Sequence, residues 1–131
     1  MVRYFLILAS LGVLLFTKET HASECLNTAR THQQMDKCLE SEFNVANQRL
    51  DLAYKHYLEI YSDKQRELLQ IAQEAWNRYR DAQCEASAAT FSGGTMESTE
   101  FIACKLKLTQ ERLEELKRTY DEPPFPPQKT K

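Results

Sequence analysis

The amino-acid sequence predicts an all-α protein, an up-down-up bundle of three helices. Apolar residues recur every three or four positions along three long stretches, as expected for helices with one buried face. No stretch alternates between apolar and polar residues for long enough to form a strand. Capping residues or a glycine-containing break separate the stretches, which places the helices at about 34–61, 63–88 and 98–119.

The first helix is predicted to begin after Thr31, a capping residue with Gln34 at the reciprocal position of a capping box. Ser62 and Gln65 form a second capping box, so a turn of two or three residues is expected between the first and second helices. So short a turn makes the second helix an antiparallel neighbour of the first. The buried stripe of the first helix is predicted to consist of Met35, Leu39, Phe43, Ala46, Leu50, Tyr54, Tyr57 and Tyr61.

The second helix carries the most informative stretch, Ala72 to Cys84, which contains the only tryptophan. Arg80 and Asp81 lie at the edge of its inward arc and are expected to be partly buried. Because buried charged groups are costly unless they are paired, we expect this helix to be the one on which the others pack. The inward arc itself is predicted to hold Leu69, Ala72, Trp76, Tyr79 and Cys84.

A break rich in small residues, Ser87 to Thr95, separates the second helix from the third and includes the adjacent glycines Gly93 and Gly94. Ser98 or Thr99 is expected to cap the third helix. The buried stripe of the third helix is predicted to consist of Phe101, Ile102, Leu106, Thr109, Leu113, Leu116 and Tyr120.

Both ends of the chain are expected to lie outside the helical domain. Arg3 followed by the apolar run 4–16 indicates a signal peptide, cleaved after Ala22. A membrane anchor is the alternative, but this run is shorter than the roughly 20 residues that span a bilayer. The helical domain is therefore predicted to be 23–121. All four prolines fall in the tail 122–131, which is expected to be extended and disordered.

Composition excludes several classes of function. Cleavage after Ala22 would leave 15 basic and 18 acidic side chains, a formal charge of −3 with neutral histidines. A mildly acidic chain without a basic cluster is not expected to bind nucleic acid. No membrane segment is expected after cleavage, so the predicted location is periplasmic or secreted, and the predicted oligomeric state is a monomer.

The four cysteines predict two disulfides, because an even number in a short exported chain is typical of a disulfide framework. In the predicted bundle, three of them share one end and the fourth precedes it. The favoured set pairs Cys84 with Cys104 and Cys25 with Cys38. A set that pairs Cys38 with Cys84 and Cys25 with Cys104 is also geometrically feasible, so the sequence leaves both open.

The favoured set of disulfides fixes a register between the second and third helices. A bond between Cys84 and Cys104 places Trp76 near Arg112, where they would form a cation–π contact. The same register places Asp81 near Thr109. The Asp81 carboxylate would then accept a hydrogen bond from the Thr109 hydroxyl or pair with an arginine.

The sequence does not favour catalysis or metal binding. Paired catalytic acids must flank a cleft, which a short bundle of three helices rarely provides. A cysteine nucleophile needs a free thiol beside a histidine, whereas all four cysteines can pair. His32 and His56 are 24 residues apart, too far to share a helical turn as zinc ligands. We therefore predict no catalytic residue, no metal and no cofactor.

The residues singled out above occur in the order of a known family pattern. They are Cys25, the run Thr31 to Cys38, Leu50, Tyr54, Gln73, Trp76, Arg80, Asp81, Cys84, Gly93-Gly94-Thr95, Cys104, Thr109, Arg112 and Leu116. In this pattern the chain resembles the lysozyme inhibitor LprI-like family of small exported bacterial proteins. The resemblance extends over nearly the whole predicted domain. Asn47 and Asp51 depart from the family's more usual residues.

The resemblance implies an exported helical protein that inhibits lysozyme by protein–protein contact. The alternative is an interaction or adaptor module for envelope or host proteins that has no lysozyme activity, with the tyrosines of the first helix and the proline-rich tail as its candidate contacts. The shared motif has the character of a folding motif. We therefore interpret five residues as structural: Trp76, Arg80, Asp81, Thr109 and Arg112.

Overall fold

The computed structural model describes residues 20–121, with side chains from residue 24 onward. This part of the chain contains α-helices and one 3₁₀ turn, and no strand. The elements are α1 Thr20–Thr28, α2 His32–Ile60, α3 Asp63–Ala88, the 3₁₀ turn Ala89–Phe91 and α4 Met96–Tyr120. Residues 1–19, which hold most of the predicted signal peptide, and the proline-rich tail 122–131 lie outside the described residues.

The three long helices confirm the predicted elements, whereas the predicted number of helices was wrong. The first predicted helix begins after Thr31, so the short α1 was not predicted. It packs against α2, to which the disulfide between Cys25 and Cys38 joins it. A helix of nine residues is too short to be stable by itself in water, so its attachment to α2 is expected to stabilise α1.

Both predicted capping residues start helices. The Thr31 hydroxyl accepts a hydrogen bond from the Gln34 amide at 3.2 Å. The Gln34 side chain accepts from the amide of Arg30 at 2.7 Å rather than from that of Thr31, so the reciprocal half of this box is displaced by one residue. At the start of α3 the Gln65 side chain accepts from the Ser62 amide at 3.3 Å, and the second box is as predicted.

α4 is the central helix of the bundle. It packs along both α2 and α3, which make few direct contacts with each other. α4 runs parallel to α2. The residues that form hydrogen bonds between them are 62 positions apart at one end and 64 at the other. α3 is antiparallel to α4. The prediction that α3 would be the helix on which the others pack, as a close neighbour of α2, was therefore wrong.

The centre of the bundle is an apolar cluster in which each long helix takes part. Leu50, Tyr57, Leu69 and Leu116 are all at most 3% exposed. The remaining predicted stripe residues of α2 and α4 are all buried or half-buried. Partly buried apolar side chains complete the cluster: Ala53, Tyr54, Leu58, Tyr61, Trp76, Leu113 and Tyr120.

The inward face of α3 differs from the prediction by part of a turn. Leu69 and Cys84 are buried as predicted and Trp76 is half-buried, but Ala72 and Tyr79 face solvent, and Tyr79 is 56% exposed. Two polar residues, Gln73 and Arg80, are buried instead. They are buried because they find partners on other helices, which a pattern of hydrophobicity does not report.

The start of α4 also corrects a prediction. The helix begins at Met96, so Ser98 and Thr99 lie inside its first turn and do not cap it. Their hydroxyls donate hydrogen bonds of 2.6 and 2.5 Å to the two carboxylate oxygens of Asp36 on α2. Hydrogen bonds to a carboxylate are stronger than those to a neutral acceptor, which explains this alternative use of capping residues.

Candidate functional site

The cysteines form two disulfides in the structure. Cys25 is bonded to Cys38, with a Cα–Cα distance of 5.9 Å, and Cys84 to Cys104, with 5.5 Å. This is the first of the two sets that the sequence left open. No cysteine is free in the described part of the chain. The bond between Cys84 and Cys104 closes the base of the segment that connects α3 to α4.

Most of the predicted motif residues meet in a stack of cations and aromatic rings. The Arg80 guanidinium lies between the rings of Phe43 and Trp76, at 5.6 and 5.1 Å from their centroids. The Arg112 guanidinium also lies over Trp76, 5.8 Å from the ring centroid. The predicted contact between Trp76 and Arg112, and with it the register of α3 on α4, is confirmed.

Lys105 extends this stack at its other end. Its ammonium group lies 4.8 Å from the Phe43 centroid and 5.2 Å from that of Phe101. Cations and rings therefore alternate through all three long helices, and we call this set the cation–aromatic ladder. Its members in order are Arg112, Trp76, Arg80, Phe43, Lys105 and Phe101.

Asp81 pairs with the cations of the ladder. Its Oδ1 accepts a 2.9 Å hydrogen bond from Nε of Arg80 and lies 3.6 Å from Nζ of Lys105. Partial burial by itself would raise the pKa of Asp81. The hydrogen bond and charge of Arg80, followed by the Lys105 charge, outweigh that effect and hold the pKa below its ordinary value. The carboxylate therefore stays ionised beside its two partners.

The other polar contacts satisfy the remaining guanidinium groups. Arg112 donates to the Gln73 side chain at 3.2 Å and to Glu115 at 2.8 Å. Arg80 also donates to the side chain of Asn47 at 3.5 Å, and Asn47 donates to Asp51 at 3.3 Å. The two residues that depart from the family pattern thus contact each other beside the ladder.

Of the two alternatives predicted for Asp81, pairing with an arginine is confirmed by its contact with Arg80, and the hydrogen bond from Thr109 is not formed. Thr109 is fully buried, and its hydroxyl has no hydrogen-bond partner among residues 24–121. Asp81 pairs with Arg80 and Lys105 because a cation is a stronger partner for a carboxylate than a neutral hydroxyl. Lys105 was not among the predicted residues, although its spacing of four residues from Phe101 places both on one face of α4.

The cation–aromatic ladder has the properties of a structural feature and not of a reactive site. The side chains of Arg80, Arg112 and Lys105 are only 9%, 11% and 20% exposed, and each has an acidic or polar partner. Within residues 24–121 no group of three or more His, Cys, Asp or Glu side chains is arranged to hold a metal ion. Among the described helices, none is long and apolar enough to cross a bilayer.

A second candidate surface lies at the end of the bundle where α3 is connected to α4. The Gly93 amide donates to Glu97 at 3.1 Å, and the Ser87 hydroxyl donates to Glu100 at 2.6 Å. The Gly94 amide donates to the carbonyl of Phe91 at 2.9 Å. Gly93 has φ of +79°, a left-handed conformation that favours glycine. These bonds and the disulfide at its base hold the connection in one shape.

This connection is acidic and exposed. Between Arg80 and Lys105 the sequence has no basic residue, a feature from which this acidic surface could have been predicted. Phe91 is 42% exposed near the tip. We call residues 85–101 the loop end. Its side chains border an open cleft of about 480 Å³, lined by Glu85, Ala88, Gly94, Thr95, Glu97, Ser98 and Phe101.

The tyrosines of α2 lie near the opposite end of the bundle. Tyr57 is 2% exposed, and its hydroxyl donates a 2.8 Å hydrogen bond to Asp121. Burial, together with the hydrogen bond to Asp121 and its charge, raises the pKa of Tyr57 to about 12. Tyr61 and Tyr120 pack against the same ring. These residues therefore belong to the core, which weakens the case for them as partner contacts.

Comparisons with known proteins place these features in a family. The family model described as "Lysozyme inhibitor LprI" matches residues 24–116, which is more than half of the chain. An uncharacterized protein from Rhizobium meliloti (strain 1021) is 28% identical over 102 residues, which cover 68% of this chain and 73% of that relative. No solved structure matches the chain.

Proposed function

We propose, because the chain belongs to the lysozyme inhibitor LprI family, that it is an exported, non-catalytic protein that inhibits lysozyme by protein–protein contact. The family match over residues 24–116 is the observation that carries this proposal. The predicted signal peptide and the two disulfides support export to the periplasm or the medium, since such bonds persist in oxidising compartments.

The loop end is the surface best suited to such an inhibitor. Lysozyme hydrolyses glycosides with a pair of carboxyl groups that flank its substrate cleft. The connection between α3 and α4 presents the exposed hydroxyls of Ser92 and Thr95 to such groups, with the exposed ring of Phe91 beside them. A narrow connection of this kind fits a cleft better than the side of a helix does.

Charge around the connection supports contact with a basic enzyme. Glu85, Glu97 and Glu100 surround it, and the segment between Arg80 and Lys105 has no basic residue. Complementary charge accelerates association and favours one orientation, and its effect falls as salt concentration rises. Inhibition at the loop end is therefore expected to weaken with salt.

The connection is also preorganised for binding. The disulfide between Cys84 and Cys104 closes its base, and the hydrogen bond from Gly93 to Glu97 fixes its turn. A surface that is already held in its bound shape loses less conformational entropy on association. The interior position of the cation–aromatic ladder supports the interpretation of the shared motif residues as structural.

The test is a cell-wall lysis assay with the oxidised mature chain, residues 23–131, and a binding isotherm at low and moderate salt. We expect saturable inhibition near one inhibitor per enzyme. Phe91→Ala should weaken inhibition by about tenfold, the loss expected of one interface aromatic. Leu52→Ala is the matched control, because Leu52 is 66% exposed on α2, away from the connection.

Equal inhibition by Phe91→Ala and by wild type would place the inhibitory surface elsewhere on the protein. Absence of binding at concentrations on the order of tens of micromolar, a weak affinity by protein–protein standards, would favour the adaptor module for envelope or host proteins.

A further inference from the structure

An open groove lies at the end of the bundle opposite the loop end, where α3 begins and α4 ends. It has a volume of about 330 Å³, and no charged side chain of the described residues lines it. Both helices contribute to its lining, together with Tyr61, which follows α2. We call it the end groove. Its lining residues are Tyr61, Gln65, Leu68, Leu69, Ala72 and Tyr120.

The surface of the end groove is largely apolar and aromatic. The Leu68 side chain is 53% exposed and Ala72 is also exposed, whereas Leu69 is buried at 3% exposure. Tyr61 and Tyr120 pack edge to face, with their ring centroids 5.5 Å apart. Grooves lined by aromatic rings bind proline-rich segments in an extended conformation.

The same chain carries a proline-rich tail that starts two residues after a lining residue of the groove. Tyr120 lines the groove, and Asp121 follows it. The Asp121 carboxylate accepts the hydrogen bond from Tyr57, which fixes the position from which the tail leaves the bundle. The tail then begins with the run 122–127, EPPFPP, in which two prolines stand on each side of Phe125.

We propose that the proline-rich tail folds back into the end groove and places the Phe125 ring against Leu68 and Ala72. This inference concerns a part of the protein remote from the loop end, and it does not rest on lysozyme inhibition. It differs from the disordered tail expected from the sequence.

The length of the tail fits this arrangement. Phe125 is four residues beyond Asp121, so an extended chain carries it about 12 Å from that residue. Along α3 the end groove extends from Gln65 to Ala72, about 10 Å of helix. Phe125 therefore reaches the exposed side of Leu68 in a single pass. A segment tethered this closely docks at an effective concentration on the order of millimolar, so a weak contact is enough to hold it.

The chemistry of the tail also suits the groove. Its four prolines have no backbone N–H, so they cover apolar surface without leaving a donor unsatisfied. Their fixed φ reduces the conformational entropy that is lost on docking. Gln65 uses its side-chain oxygen to cap α3, which leaves its NH₂ group to donate to carbonyl groups of the tail. Phe125 supplies a large apolar ring for the exposed face of Leu68.

The test is solution NMR of the oxidised mature chain, residues 23–131. We expect nuclear Overhauser contacts between the Phe125 ring and the methyl groups of Leu68 and Ala72. Leu68→Glu should abolish them and move the Phe125 resonances to the values of an unfolded peptide, because it places a carboxylate in the groove. Leu52→Glu is the matched control and should leave Phe125 unchanged, since Leu52 is 66% exposed on α2 and does not line the groove.

A thermal-unfolding cycle tests the same contact by a second measurement. Phe125→Ala and Leu68→Ala should each lower the unfolding midpoint. The double variant should lower it by less than the sum of the two, because either substitution removes the shared contact. Leu68→Ala is expected to leave the core intact, since Leu68 is 53% exposed beside the groove. Thr130→Ala is the control within the tail and should leave the midpoint unchanged.

The proposal would be overturned by additive effects of Phe125→Ala and Leu68→Ala, or by Phe125 resonances that Leu68→Glu leaves unchanged. Mixtures of isotope-labelled and unlabelled protein identify the molecule that supplies the tail. Contacts between Phe125 and Leu68 of different molecules would also overturn the proposal, because the groove would then hold the tail of a second copy. These measurements contain no lysozyme, so failure of tail docking and failure of the inhibitor proposal are distinguishable.

Discussion

Thr99 on α4 donates a 2.5 Å hydrogen bond to the carboxylate of Asp36 on α2, and this contact joins the first turns of two parallel helices. Thr99 is only 5% exposed, whereas Ser98, which bonds the other oxygen of Asp36, is exposed. The pair fixes one end of the α2–α4 packing, as Tyr57 and Asp121 fix the other.

Asp36→Ala is therefore expected to destabilise the protein by about 1–3 kcal/mol, because it leaves the buried Thr99 hydroxyl without its acceptor. Denaturant unfolding of the oxidised protein would measure this loss. Ser98→Ala should lower the free energy of unfolding much less, since Ser98 is exposed and water can replace its hydroxyl beside the Asp36 carboxylate. Equal unfolding midpoints for Asp36→Ala and wild type would show that the contact does not contribute.

Arg80 is expected to be the most sensitive charged residue of the ladder. Arg80→Ala removes a buried guanidinium that stacks on two rings and bonds Asp81, and the loss should be about 2–4 kcal/mol of unfolding free energy. Arg80→Lys keeps the charge but not the planar stacking. Its free energy of unfolding should therefore lie between those of Arg80→Ala and wild type. The exposed Arg118 supplies the control, and Arg118→Ala should stay within about 0.5 kcal/mol of wild type. A loss no larger for Arg80→Ala than for Arg118→Ala would contradict a structural role.

The raised pKa of Tyr57 predicts that the folded protein loses stability at high pH. Its pKa is about 12 in the folded protein against 10.0 for the free side chain, so the folded state holds this proton more tightly than the unfolded state. The associated stability is fully present below pH 10 and is lost as the pH rises from about 10 to about 12. Absorbance titration of tyrosinate should show one tyrosine that ionises with a pKa of about 12. Burial also raises the pKa values of Tyr54 and Tyr61, so the assignment depends on the loss of that step in a Tyr57 variant.

Tyr57→Phe provides the comparison for this titration. The late-ionising tyrosine should be absent from it, and its stability should fall less between the same pH values. Asp121→Asn should shift the late step to lower pH, because it removes the negative charge that opposes ionisation of Tyr57. A titration in which wild type and Tyr57→Phe differ only by one ordinary tyrosine would refute the assignment.

Substitutions of Gly93 test the left-handed turn at the loop end. A Cβ at this position would meet no atom within 4 Å, so Gly93→Ala introduces no clash. Its left-handed φ of +79° should nevertheless cost about 1–2 kcal/mol for a residue with a side chain. Asn tolerates this conformation better, so Gly93→Asn should cost less than Gly93→Ala in thermal unfolding. The reverse order would argue against the left-handed turn.

The sequence by itself determined the helices and much of their order. Helical periodicity and the capping residues Thr31 and Ser62 located three long helices, because these signals are local and act within a few residues. The buried stripe of α2 was also predictable from the sequence, because apolar side chains are favoured in the protein interior. The cysteines limited the disulfides to a small number of pairings.

Only the tertiary structure decided what the polar residues do. Arg80 was placed at the edge of the inward arc and Tyr79 within it, yet Arg80 is 7% exposed and Tyr79 is 56% exposed. Hydrophobicity describes a side chain alone, whereas burial of a guanidinium depends on rings and carboxylates that other helices bring to it. Ser98 and Thr99 likewise contact Asp36, which is more than sixty residues away in sequence. The central position of α4 follows from long-range pairings of this kind, which no local pattern contains.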